Sequence, residues 1–241
     1  MSAPHASGRR LRLPILIAVV AIALAAAGVA GVVYMFTTSA PAAVSLAGAA
    51  ASGAGSGSLD GTWNVDTSIG QFSDFSDSFV GYRVNENLAQ VGSATAVGRT
   101  PKVSGSLTFA GNAITAATIT ADLTALTSDR SMRDGALHQQ ALETDQFPTA
   151  TFTLTSPIGL STAPADGQTI SATAQGKLTL HGVTNDVSIP LQAKLSGGVV
   201  TVVGTLPITF ADYSIAPPHS MMVLSVDDHG TMELQLHFTK G

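Results

Sequence analysis

The sequence predicts an all-β fold, an antiparallel barrel with one short helix, preceded by an N-terminal transmembrane helix. Three observations carry this. From residue 149 onward, successive segments alternate apolar and polar residues with a period of two, the pattern of a strand with one dry face. Short turns join these segments and set antiparallel neighbours side by side. Ahead of them, residues 13–36 form one uncharged apolar run, and about 20 such residues suffice to cross a bilayer as a helix.

Taken in order, residues 1–12 hold Arg9, Arg10 and Arg12, which stay cytoplasmic and send the rest of the chain outside the cell membrane. On its length, the run at 13–36 reads as an uncleaved signal anchor. The alternative is a cleaved signal peptide, for which Ala40-Pro41-Ala42 offers a small-residue site, and the domain is then secreted. Residues 37–58 are uncharged and rich in Ala, Gly and Ser, the composition of a flexible linker. Its glycines at 53, 55 and 57 lack the Gly-Lys-Ser/Thr ending of a phosphate loop.

Residues 59–241 remain, enough for one domain with a sizeable core. With the three arginines outside it, this domain has a net charge of −8, which argues against nucleic acid and against an electrostatic hold on anionic lipid. The chain has no cysteine, so it can form no disulfide, thiol nucleophile or thiolate metal site.

Trp63, Val65 and Asp66 open the domain in an extended stretch, and a polar turn at 73–78 leads into a strand at 79–84. Residues 103–109 and 114–123 form a hairpin through Ala110-Gly111-Asn112, where positive φ is available. The helix falls at 131–144, with Met132, Ala136 and Leu142 near helical spacing and Ser128 or Asp129 placed to cap it. Strands follow at 149–155, 169–180, 183–195, 200–210 and 231–239. Their dry faces hold Phe152 and Leu154, then Ala172, Ala174 and Leu178, then Val187, Ile189 and Leu191, then Val202 and Phe210, then Leu234 and Leu236.

One helix cannot cover so many half-dry strands, so the sheet must close or fold over. Sequential connections and small inward residues (Ala121, Ala172, Ala174, Gly176, Ala193, Gly204) favour a barrel of about eight strands with room for one ligand. The alternative is a filled sandwich in which small residues match large ones opposite.

Two motifs carry a resemblance. Arg133-Asp134-Gly135-Ala136-Leu137 continues into Leu142-Glu143-Thr144-Asp145-Gln146-Phe147-Pro148-Thr149-Ala150-Thr151-Phe152. The second is Gly176-Lys177-Leu178-Thr179-Leu180-His181-Gly182-Val183-Thr184, and the opening Trp63-x-Val65-Asp66 fits beside them. Together they resemble the YceI-like family of bacterial exported lipid-binding proteins over nearly all of 59–241. The resemblance implies an extended lipocalin-like barrel that encloses a long amphiphile, typically a polyisoprenoid, with no common catalytic centre and no cofactor. It turns Phe152, Leu154, Ala172, Ala174, Leu178, Val187, Ile189, Leu191, Val202 and Phe210 from ordinary core into candidate tunnel wall. Two stretches depart from the family pattern, the Asp/Ser-rich 73–78 and the region from Tyr82 to Thr100.

Other chemistry is thin. The six histidines are dispersed without His-x-x-x-His spacing and read as surface or turn residues. Asp74 with Asp77, and Asp227 with Asp228, miss calcium-loop spacing and read as solvated loops. No Gly-x-Ser-x-Gly elbow marks a nucleophile. Charge gathers around the helix start, where Arg130, Arg133 and His138 are candidates for a ligand head group and Arg–Asp pairing that pins the helix is the alternative. The sequence thus points to a membrane-tethered lipid-binding barrel, the other reading being a filled envelope module that binds proteins.

Overall fold

The computed structural model describes residues 40–46, 58–89, 92–160, 164–218 and 223–241. The chain divides into two compact units, residues 1–40 and 41–241, and of the first only Ala40 is described. The expected basic N-terminus, the span at 13–36 and most of the linker lie outside the described residues. Among the described residues no helix is long and apolar enough to cross a membrane.

Thirteen antiparallel strands are described in the second unit. They are β1 Gly61–Val65, β2 Phe79–Leu88, β3 Gly92–Thr100, β4 Val103–Ala110, β5 Ala113–Asp122, β6 Thr127–Ser128 and β7 Thr149–Leu154. They continue as β8 Ile158–Gly159, β9 Thr169–Leu180, β10 Val183–Ser196, β11 Val199–Thr209, β12 Val223–Val226 and β13 His229–Lys240. Eight of them close a barrel in the order β1-β4-β5-β7-β9-β10-β11-β13, shut by pairing β13 against β1. The closed ring, not a sandwich, is therefore the architecture. Two-residue turns set its register: His181 and Gly182 both have positive φ, as do Gly197 and Gly198, the geometry that matches hairpin twist. With those turns fixed, Leu191 pairs with Ala172 on one side and Gly204 on the other, and every apolar face points inward.

β13 serves two partners. Its first half pairs with β2 (Leu234 with Val80) and its end pairs with β1 (Phe238 with Val65). β2 in turn carries β3 and β6, so a ribbon runs on past the ring. β2 runs four residues past the strand expected at 79–84, and β3, built mostly of small residues, shows no clear alternation. Helix α1 covers this ribbon and is shorter than expected, Ser131–Ala136, followed by a wide turn over Leu137–Ala141. Arg130, not Ser128 or Asp129, takes the N-cap position, and it makes no side-chain capping bond. Asp134 instead accepts from the Ser128 N–H (2.9 Å) and hydroxyl (2.6 Å).

The polar face of β13, expected to meet water, is covered. The loop at 66–78 lies across it: Gln235 donates to the Phe75 and Asp77 carbonyls, His237 to the Ser76 carbonyl, and Thr239 to the Asp66 carboxylate. Glu233, fully buried, accepts from Arg83 and Arg99, and the Arg99 guanidinium sits 4.3 Å from the ring centres of both Phe75 and Phe79. Those two arginines also hold part of the expected linker, donating to the Pro41 and Ala42 carbonyls. Uncharged residues with free carbonyls suit two guanidinium groups whose carboxylate is already shared.

Asp77 in this loop is buried rather than solvated, and burial pushes its carboxyl above the ordinary value of 3.8. A raised carboxylate stabilises the fold fully below that ordinary value and loses its contribution as pH rises through the native value. Asp77→Asn is therefore expected to raise the melting temperature at neutral pH, with the gain vanishing in melts run below pH 3.8.

Candidate functional site

Inside the ring, the aligned apolar faces do not fill the space they enclose. The first chamber holds about 1280 Å³ of empty volume, its open part included, and its lining is apolar throughout. Phe152, Leu154, Ala172, Ala174, Leu178, Ile189, Leu191 and Val202, eight of the ten expected wall residues, lie on it. Trp63 closes the core behind it, edge-on to Phe109 at 6.1 Å, with its indole N–H donated to the Leu59 carbonyl.

Two inward glycines do not add to this space. A Cβ on Gly176 would lie 2.3 Å from the Phe152 ring, and one on Gly204 would lie 2.5 Å from Leu191. There, small residues do match large neighbours, as a filled core requires. The free volume instead stands over alanines: Ala117, Ala121, Ala150, Ala172, Ala174 and Ala193.

A second chamber of about 1060 Å³ lies between the β2–β3 ribbon and α1. Val80, Ala150, Leu178 and Met232 belong to both walls, so the two chambers lie side by side and share these residues. Phe210, expected among the tail-binding wall, lines this second chamber. Val187 lines neither. Its register partner is Gly176, over which the Phe152 ring lies, so Val187 packs in the cluster around Tyr213 instead.

The polar residues of the second chamber are Tyr82, Arg83, Glu86, Thr100, Thr231 and Arg133. Tyr82 and Glu86 share the parity of Val80 and Val84 on β2, which turns them to the inner face. Arg133 bridges Glu86 and Asp129, each at 2.5 Å, and so ties α1 to the ribbon. Of the expected head-group residues, Arg133 alone lines the chamber. Arg130 faces Asp129 at 3.6 Å, and His138 donates to the Leu126 carbonyl at 2.8 Å, which anchors the wide turn. Sequence reasoning passed over Tyr82 and Glu86, although their alternation with Val80 and Val84 placed both on the dry parity.

The two sequence motifs meet in space. Glu143, in the left-handed region, sets its carboxylate 3.0 Å from His181 Nε2, and Phe147 packs edge-on against the His181 ring at 4.5 Å. His181 Nδ1 donates to the Tyr213 carbonyl, so this turn histidine is buried and holds three elements together. His237 is buried likewise, bonded to Thr201 and Ser76. Among the described residues no three His, Asp or Glu side chains gather as a metal site.

A ring of eight antiparallel strands around an unfilled apolar interior defines the class of barrels with an internal cavity. The chain belongs to the YceI-like family: the model of the YceI-like domain matches residues 63–238. Its fold is shared by the structure of a polyisoprenoid binding domain from Saccharophagus degradans implicated in plant cell wall breakdown. That structure is 19% identical with a TM-score of 0.56, over 75% of this chain and 98% of the other. BcnA of Burkholderia cenocepacia is 22% identical with a TM-score of 0.52, over 72% of this chain and 98% of its own. Comparison with curated proteins finds no match.

Proposed function

We propose that this protein is a membrane-tethered, extracytoplasmic binder of a long-chain isoprenoid or similar amphiphile, without a catalytic step. The observation that carries the reading is the unfilled barrel interior, two adjacent apolar chambers of which the second is bordered by a few polar side chains. Burying apolar surface stabilises a complex by about 0.8 kcal/mol per CH₂, so a long tail can be held without a polar contact. The first chamber suits the tail and the second the head, with specificity set by tunnel length and a few polar groups. The polyisoprenoid-binding description of the Saccharophagus degradans domain supports the same ligand class. The apolar run at 13–36 with its flanking arginines supports a tether that keeps the barrel at the outer membrane surface. A filled protein-interaction module accounts less well for an unfilled interior.

The test is to purify the full-length protein from a bacterial host and identify what it carries by native and denaturing mass spectrometry. The expected result is one long-chain lipid per barrel. A protein that is empty and takes up no isoprenoid probe overturns the reading.

A further inference from the structure

The head-group end of the tunnel has a definite chemistry. Tyr82 crosses from β2 to lie over Gly98 of β3, its register partner, and a Cβ there would sit 2.4 Å from the tyrosine ring. The glycine thus seats the ring flat on the chamber wall. From that seat the phenol oxygen is buried with no hydrogen-bond partner, and so is Nε of Arg133 in the same chamber. The Arg133 Nε–H can only donate, and the phenol O–H can donate as well as accept. Burial pushes the Tyr82 phenol above its ordinary range, so the O–H is intact at neutral pH. A buried donor left unpaired is costly, and a ligand oxygen that accepts from it relieves that cost.

The surrounding charge selects among such oxygens. The fork of Arg133 is already taken, one Nη by Glu86 and the other by Asp129. Around the phenol stand Arg133 and the carboxylates Glu86, Asp129 and Asp134, and Asp129 is shared with Arg130. Arg83, the other cation on the wall, is held by the buried Glu233. A phosphate or diphosphate entering here meets an apolar lining whose two arginines, Arg83 and Arg133, are already paired with carboxylates.

Resting on the lipid-binding reading, we infer that the second chamber selects isoprenoids whose head is uncharged and presents an acceptor oxygen to Tyr82 and Arg133, and that it rejects phosphorylated heads. The full-length protein, stripped of lipid, is offered an equimolar mixture of a polyprenol, its diphosphate and the headless hydrocarbon of one chain length. Bound species are then quantified by mass spectrometry. The polyprenol is expected to be held at least about tenfold better than the diphosphate, and about two- to tenfold better than the hydrocarbon, the range of one net hydrogen bond. Tyr82→Phe keeps the ring and is expected to erase most of the preference over hydrocarbon. Glu86→Gln removes the negative charge paired with Arg133 and is expected to raise uptake of the diphosphate.

Equal or better retention of the diphosphate by the unaltered protein overturns the inference, as does an unchanged preference in Tyr82→Phe. In both cases the tunnel still binds isoprenoid. If none of the three probes is retained, the lipid-binding reading itself falls.

Discussion

Replacing Glu233 with alanine is expected to lower the unfolding free energy by about 3–5 kcal/mol, the usual cost of removing one partner from a buried ion pair. Glu233 is 0% exposed, and its two cationic partners differ in how they could respond: Arg83 is 19% exposed, Arg99 only 3%. Arg83 can turn toward water. Arg99 cannot, because Phe75 and Phe79 flank its guanidinium, and its charge would be left with ring faces and the Ala42 carbonyl. The loss should therefore fall mainly on Arg99. The double variant Glu233→Ala with Arg99→Met tests this, since an apolar replacement of both partners often costs little. Urea denaturation of the three proteins is expected to place the double variant well above the single one. If the single variant unfolds at the same urea midpoint as the unaltered protein, the network does not hold the β13–β2–β3 junction.

That junction shows where the sequence was legible and where it was not. The ring was readable because each of its long strands has one wet and one dry face, so alternation alone gives the inward set. The pairing of Leu191 with Ala172 and Gly204 follows once the turns at 181–182 and 197–198 are placed. β3 was not readable by that route: at 92–100 it is made of Gly, Ser, Ala, Thr, Val and Arg, and its second half is buried on both faces. The polar parity of β13 misled for a related reason. Glu233, Gln235 and His237 look solvated in sequence, yet each is matched to a loop carbonyl or an arginine more than 100 positions away. Alternation reports which face is polar, and only tertiary structure reports whether that face is wet.

The site divides along the same line. The residues lining the first chamber repeat a period and are found by counting, whereas Tyr82, Glu86 and Arg133 converge from a strand and a helix far apart in sequence. Val187 was included by periodicity and excluded by one neighbour, the Phe152 ring over Gly176. The paired motifs around Glu143, Phe147 and His181 carry the family resemblance in sequence, and in the structure they hold a turn.

Ala172→Trp is expected to separate an unfilled tunnel from a filled core more sharply than any other single change. Ala172 faces inward from β9 opposite Leu191, on the wall of the first chamber and away from the second. Along β9 the linings of the two chambers together run from Ile170 to Leu180, roughly 25 Å at about 3.4 Å per residue and a tilt near 40°. An indole at 172 would project into the deep end of that length. In a filled core the added volume forces strain and costs typically about 1–3 kcal/mol or more. In the observed chamber it enters empty space, so the melting temperature should change little, while the tail loses the part of the tunnel it needs. With about 0.8 kcal/mol at stake per CH₂, displacing even a few methylenes should weaken binding of the longest isoprenoids more than a hundredfold. Tails short enough to stop before residue 172 should bind as before, giving a cut-off in chain length rather than uniform loss. Thr173→Trp, one residue along on the exposed face, is the matched control and should leave the cut-off where it was. Uptake of a graded series of polyprenols, read beside thermal melts, checks both expectations, and a variant that melts early yet keeps its longest ligand would place the tail somewhere other than this chamber.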